Sequence, residues 1–157
     1  MGKKIVCYFS AGGNTKKVAE KLSQKAEADI YEIKPKISYT KEDLNWMDKK
    51  SRSSVEMADR TIRPEIIKGD INLDEYDTIY LGFPIWWGVA PTVVNTFLEA
   101  YDMKGKKIVV FATSGTSGMG DSVKELQPSA PGATFLEGGM LNGIVSDSKL
   151  DKVASLA

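Results

Sequence analysis

The chain has 157 residues, the size of one folding unit, since single cores commonly close at roughly 100 to 200 residues, and residues 1–157 are read as one domain. Apolar residues make up 42%, and 21 Lys plus Arg balance 21 Asp plus Glu, which excludes a disorder-like composition and the basic surplus of a nucleic-acid binder. A single cysteine cannot close an internal disulfide, and without histidine the usual zinc ligand and the usual near-neutral general base are missing, so zinc chemistry and triad hydrolysis are excluded.

Lys4 to Phe9 is short, apolar and β-rich, the pattern of a strand buried on both faces. From Gly13 the period changes, and Val18, Ala19, Leu22 and Ala26 mark one face of a helix. Asp29 to Ile33 reads as the second strand. Between Lys34 and Asp74 the chain is polar, and Thr40 with Asp43 and Ser53 with Glu56 are expected to start short helices. Asp77 to Gly82 is the third buried strand, and Pro91 suits the first turn of a helix carrying Val94, Phe97 and Leu98. Lys107 to Ala112 is the fourth. A small-residue loop then leads to a helix with Val123 and Leu126 that stops at Pro128. Thr134 to Glu137 is the fifth strand, and Leu150, Val153 and Ala154 mark a closing helix capped by Ser146 or Asp147.

Apolar strands alternating with helices predict an α/β fold, a parallel sheet covered on both faces with right-handed crossovers. Ligands of such sheets bind at the carboxyl ends of the strands, where neighbouring crossovers leave on opposite faces. Three loops lie there. Ser10-Ala11-Gly12-Gly13-Asn14-Thr15 combines a glycine turn with hydroxyl and amide donors and the free N–H groups of a helix start, which makes a phosphate cradle. It is neither a Walker loop nor a G-x-G-x-x-G turn. Pro84-Ile85-Trp86-Trp87-Gly88 sets two indoles in a loop, where one offers a flat face to an aromatic ligand or fills core beneath. Thr113-Ser114-Gly115-Thr116-Ser117-Gly118-Met119-Gly120 has little side-chain bulk and lets the backbone approach a planar heterocycle.

On these motifs the chain resembles the flavodoxin family of small FMN-binding proteins, over nearly its whole length. Ser10, Gly13, Asn14 and Thr15 look like that family's phosphate loop, and Trp87-Gly88 like its flavin-flanking aromatic and glycine. The Thr113–Gly120 loop is similar in place to the loop holding the pyrimidine edge of the flavin. The resemblance implies a three-layer doubly wound sandwich with five parallel strands in the order 2-1-3-4-5, FMN as cofactor, and Gly88 as the residue whose peptide turns toward flavin N5. It also implies an electron carrier between a reductase and an acceptor protein, acting as a monomer or weak homodimer. The chain departs from the pattern at Gly12, where a threonine is usual, and at Val89, where an acid often follows the glycine. The loop before Trp87-Gly88 is one residue longer, and the third loop lacks the tyrosine that often covers the other flavin face, with Met119 as a candidate substitute. An open face would suit a nicotinamide-dependent reductase of quinones, the alternative activity.

Other readings fit less well. A signalling receiver needs carboxylates where Ser10 and Pro84 stand, and a Cys-x5-Arg phosphatase needs arginine where Gly13 follows Cys7. A cofactor-free interaction domain would bind no flavin. Residues 1–70 hold 15 basic and 11 acidic residues and residues 71–157 hold 6 and 10, so the halves carry +4 and −4. Ile71 to Asp102 holds five acids and no Lys or Arg, either a solvated surface or a docking face for a basic partner. The longest apolar runs fall far short of the ~20 residues of a membrane-spanning helix. The start of the chain lacks a signal peptide's apolar core, and Val6 breaks the myristoylation pattern, so a cytoplasmic protein is expected.

Overall fold

The computed structural model describes residues 3–11, 13–45, 47–69, 71–86, 88–113, 121–141 and 145–156. In chain order the elements are β1 (Lys3–Tyr8), α1 (Asn14–Ala26), β2 (Asp29–Glu32), β3 (Lys34–Pro35), α2 (Arg52–Ala58), β4 (Ile66–Ile67), β5 (Tyr76–Pro84), α3 (Thr92–Ala100), β6 (Lys107–Thr113), α4 (Ser122–Leu126), β7 (Thr134–Met140) and α5 (Asp147–Ala154). Five strands form one sheet in the order β2-β1-β5-β6-β7, and every neighbouring pair is parallel. Numbered among themselves, these strands run 2-1-3-4-5, the order expected. The crossovers change face between β1 and β5, which places the carboxyl ends of those two strands at the crevice where such sheets bind ligands.

Strand alternation sorts the core into two layers. On one face Ile5, Cys7, Phe9, Ile79, Leu81, Phe83, Ile108 and Val110 pack with Val93, Val94, Phe97 and Leu98 of α3. On the other, Val6, Tyr8, Tyr80, Val109 and Phe111 meet Val18, Ala19 and Leu22 of α1 and Leu150 and Val153 of α5. Tyr80 is fully buried there and donates its hydroxyl to the Ala154 carbonyl at 2.6 Å, so its polar tip has a partner. Burying one such large side chain contributes about 1.5–3 kcal/mol, and this sum over two layers holds the sheet between its helices. Cys7 lies wholly within the first layer, where burial pushes its thiol far up from the ordinary range. A thiol alkylator at pH 8 should leave native Cys7 unlabelled and modify it in denaturant. Labelling of the native protein at the rate of a free thiol, read by mass spectrometry, would contradict this packing.

Local structure differs from the sequence reading at four places. Thr40 and Asp43 do form reciprocal bonds, Thr40 N to Asp43 Oδ2 at 2.9 Å and Asp43 N to Thr40 Oγ1 at 3.1 Å, but only turns follow. No apolar stripe follows that start, and a cap without a buried face does not sustain a helix. The second start lies two residues earlier than expected, because Ser51 rather than Ser53 accepts from Ser54 N and caps α2, and Glu56 turns inward. β3 and β4 make a small antiparallel sheet that the polar composition did not signal. β7 runs past Glu137 to Met140 through a bulge at Gly138–Gly139, where Phe111 pairs with Gly139.

The acids of the Ile71–Asp102 stretch are dispersed. Glu75 approaches Lys3 at 3.6 Å, and Glu99 pairs with Arg63 at 3.0 Å. Tyr76, at the start of β5, donates to Asp29 Oδ2 on β2 at 2.6 Å, and that bond pushes the phenol up to about 12 from 10.0. The protonated phenol is the favoured form in the fold, so its contribution holds below pH 10 and is lost as pH rises from about 10 to about 12. Asp29→Asn should let one more tyrosine ionise near pH 10 in an ultraviolet titration, and an unchanged curve would rule that bond out. No helix among the described residues is long and apolar enough to cross a membrane.

Candidate functional site

The first loop leaves β1 and turns straight into α1. Phe9 N donates to the Gly82 carbonyl at 2.9 Å, so β1 and β5 stay paired up to the loop. Ser10 Oγ accepts from Gly13 N at 3.0 Å and from Lys16 N at 3.2 Å, folding the loop around one hydroxyl. Gly13 caps the helix in the left-handed region at φ 91°, with open space where a Cβ would stand. An L side chain there costs roughly 1–2 kcal/mol, which is the physical reason for glycine. The first turn of α1 contains Lys16 and Lys17 and no acid, and no partner for the Asn14 and Thr15 amides occurs among the described residues. Amides with no partner among the described residues, the positive end of the helix and two lysines make the loop attractive to an anion.

The other two loops are tied to the first. Thr15 Oγ1 and Thr113 Oγ1 are 2.8 Å apart and buried, joining the start of α1 to the end of β6. Ile85 N donates to the Thr113 carbonyl at 2.9 Å, joining the ends of β5 and β6. Ile85 itself is buried in the core, so what it presents at the edge is backbone, and Pro84 beside it is half-buried. Trp86 and Val89 exchange backbone bonds at 2.9 and 3.2 Å around a turn that includes Gly88 at φ 79°. The Gly88 carbonyl accepts from Asp121 N at 3.2 Å, and the glycine faces open space. Ser10, Ala11, Gly13, Asn14, Thr15, Pro84, Ile85, Trp86, Gly88 and Thr113 thus gather at one sheet edge. Gly12, Trp87, Ser114, Gly115 and Gly118, with Met119, lie outside the described residues.

Trp86 is half-buried, its ring edge-on to Phe9 at 5.8 Å and to Tyr39 at 5.4 Å between centroids. Tyr39 comes from the polar segment and meets Phe9 edge-on at 5.5 Å. Its hydroxyl donates to buried Glu56, and the Arg52 guanidinium covers its ring at 3.8 Å. Burial, followed by the bond to Glu56, pushes the Tyr39 phenol far up. From the sequence, Tyr39 and Arg52, with Trp46, Arg60 and Arg63, either form a lid or pack on the sheet, and their pairing with Glu56 is what sequence reasoning missed. The available signal was the i,i+4 spacing of Arg52 and Glu56 on one short helix, but only the fold brings Tyr39 to it. The segment is further anchored by Arg60, which donates to the Ala90 carbonyl at 2.9 Å, and by Arg63, which donates to Glu99. It is a packed cover on the second loop. Beside the first loop lies a cavity of about 320 Å³ whose lining includes Ser10, Ala11, Lys34, Lys36, Ser38 and Tyr39. Among the described residues no cluster of His, Cys, Asp or Glu could hold a metal ion.

The profile of a protein family described as Flavodoxin matches residues 3–155. A protein of Bacteroides uniformis provisionally described as a flavoprotein is 44% identical, with a TM-score of 0.87 over 96% of this chain and 96% of that one. A second such protein, from Bacteroides eggerthii, is also 44% identical, with a TM-score of 0.89 over 95% of this chain and 94% of that one. A Lactobacillus acidophilus flavoprotein solved in complex with FMN is 24% identical, with a TM-score of 0.72 over 98% of this chain and 99% of that one. No curated protein matches at a significant level.

Proposed function

The chain belongs to the flavodoxin family, and from that premise we propose that it binds FMN at the carboxyl ends of β1, β5 and β6 and carries electrons between redox partner proteins. The observation that carries the reading is the tying of all three loops at the sheet's switch point, with the first built as an anion cradle. The residues fit the cofactor, because Gly13 and Gly88 leave open space at the edge and the first turn of α1 offers amides and lysines to a phosphate. The Lactobacillus acidophilus protein of like fold was solved with FMN.

Ser10, Ala11, Gly12, Gly13, Asn14 and Thr15 hold the phosphate in this reading. Pro84, Ile85, Trp86, Trp87 and Gly88 form the wall beside the ring, and Thr113, Ser114, Gly115 and Gly118 line its polar edge. Bound FMN supplies the redox chemistry, taking up and releasing electrons at its ring. The protein's part is to exclude water with the aromatic wall and to offer peptide groups that can reorient. Gly88 suits the latter, since a peptide flanking glycine changes conformation without a Cβ clash. With Val89 after it, the segment Pro84–Pro91 contains no carboxylate, so it lacks the local negative charge that drives a flavin potential down.

A second reading is a nicotinamide-dependent FMN reductase acting on quinones or similar acceptors, for which the cavity beside the cradle supplies room. Anaerobic spectra of the FMN-loaded protein separate the two. For a carrier, reduced nicotinamide alone leaves the flavin bands intact, and a catalytic amount of a flavodoxin reductase bleaches them. Direct bleaching by the nicotinamide supports the reductase. Failure to retain flavin after equilibration with FMN overturns both.

A further inference from the structure

We infer that Tyr39, clamped by Arg52 and Glu56, is a positioning residue that fixes the Trp86 indole of the cofactor wall before any ligand arrives; the inference rests on the FMN reading. Glu56 is only 6% exposed, and a carboxylate so buried is tolerated when its lone pairs are taken. Here they are, by the Tyr39 hydroxyl and by Arg52 Nε at 3.0 Å. Arg52 is itself held, donating to the Ile37 carbonyl at 2.6 Å. Tyr39 is therefore constrained at its hydroxyl by Glu56 and on its face by the guanidinium. The ring also meets Phe9 and Trp86 edge-on, and it lines part of the cavity beside the first loop. Phe9 is buried at the end of β1 and cannot yield, so Trp86 is held between a core ring and a clamped one.

A buried ion pair of this kind contributes little net stability against an apolar replacement, and its better-attested use is to specify one geometry. The geometry specified here belongs to the one described indole of the Pro84–Gly88 loop. Fixing a binding surface in its bound form raises affinity by lowering the ordering cost of association. The hydrogen bonds of the clamp run to Glu56 and to the Ile37 carbonyl, and none joins it to Ser10, Gly13, Asn14 or Thr15 among the described residues. Although Tyr39 shares the lining of the adjacent cavity with Ser10, its effect is therefore expected through the indole rather than through the phosphate ties.

The test uses the full chain labelled with 5-fluorotryptophan, the Trp86 resonance being assigned by its loss in Trp86→Phe. In the apo protein Tyr39→Leu should move or broaden that resonance, whereas Tyr39→Phe, which keeps the ring, should largely retain it. In titrations with FMN and with riboflavin, Tyr39→Leu should weaken both by a similar factor of about two- to tenfold, the scale of one aromatic pair. Tyr39→Phe should recover most of that loss. If Tyr39→Leu does not fold, Glu56→Gln serves in its place; it keeps an acceptor for Tyr39 but uncouples Arg52, and a shifted Trp86 resonance is again expected. An unmoved resonance in whichever variant folds, or a loss confined to FMN, overturns the inference. A wild-type protein that binds neither flavin overturns the FMN reading instead, and the apo resonance still judges the clamp.

Discussion

Gly82→Ala should be the most damaging single-methyl change in the sheet. A Cβ at Gly82 would stand 2.2 Å from Cζ of Phe111 and 2.4 Å from its Cε2, far inside van der Waals contact. Gly82 and Phe111 are register partners on β5 and β6, so the ring lies across the glycine on the α1 side of the sheet. Phe111 is fully buried among Val6, Tyr8, Tyr80 and Leu22 and cannot swing away without displacing them. Overpacking of a tight core costs about 1–3 kcal/mol, and the upper part of that range is expected here because the ring has no free space. Urea unfolding should show the midpoint falling at constant slope. The double variant Gly82→Ala/Phe111→Leu should lose less than the sum of its parts, since the smaller side chain removes the clash. A Gly82→Ala midpoint equal to wild type would show that the ring can move.

Ser10→Ala should separate the phosphate from the rest of the cofactor. Its hydroxyl gathers the Gly13 and Lys16 amides, and without it the loop loses the bond that shapes it. A hydrogen bond serving a charged group is worth about 1.5–3 kcal/mol, so FMN affinity should fall by roughly tenfold to a hundredfold. Riboflavin has no phosphate, and its affinity should change by less than about twofold. The pair of titrations, read by flavin fluorescence, carries its own control. Equal losses for the two ligands would move the phosphate site away from the first loop, while the folded state, tested by the same unfolding curve, reports any general damage.

Where the sequence was informative, local physics and final structure agree. The three central strands β1, β5 and β6 are apolar runs, because a strand covered on both faces has no solvent side to mark, while the edge strands β2 and β7 keep exposed or half-buried residues. Val18, Ala19 and Leu22 of α1 are all buried, as their spacing requires. Ser146 caps α5 by accepting from Lys149 N at 3.2 Å. The segment 34–74 was poorly legible for the opposite reason. Its order comes from contacts between residues far apart in the chain, such as Lys34 with Ile67, Arg60 with Ala90 and Arg63 with Glu99. A two-residue strand has no period to detect, and a capping pattern such as Thr40 with Asp43 is satisfied in a turn as readily as in a helix.

The order of the five sheet strands with their helices, and the three loops that follow β1, β5 and β6, were legible in the sequence alone, because apolar runs, helical period and glycine turns are properties of near neighbours. Only the tertiary structure decided what those loops are tied to and what stands behind them. The Thr15–Thr113 bond spans the length from the first loop to the third. The Phe9, Tyr39 and Trp86 rings come from three separate stretches of chain. Side chains so distant in sequence carry no mutual signal in a single chain, and they meet only when the parallel sheet sets their backbones side by side.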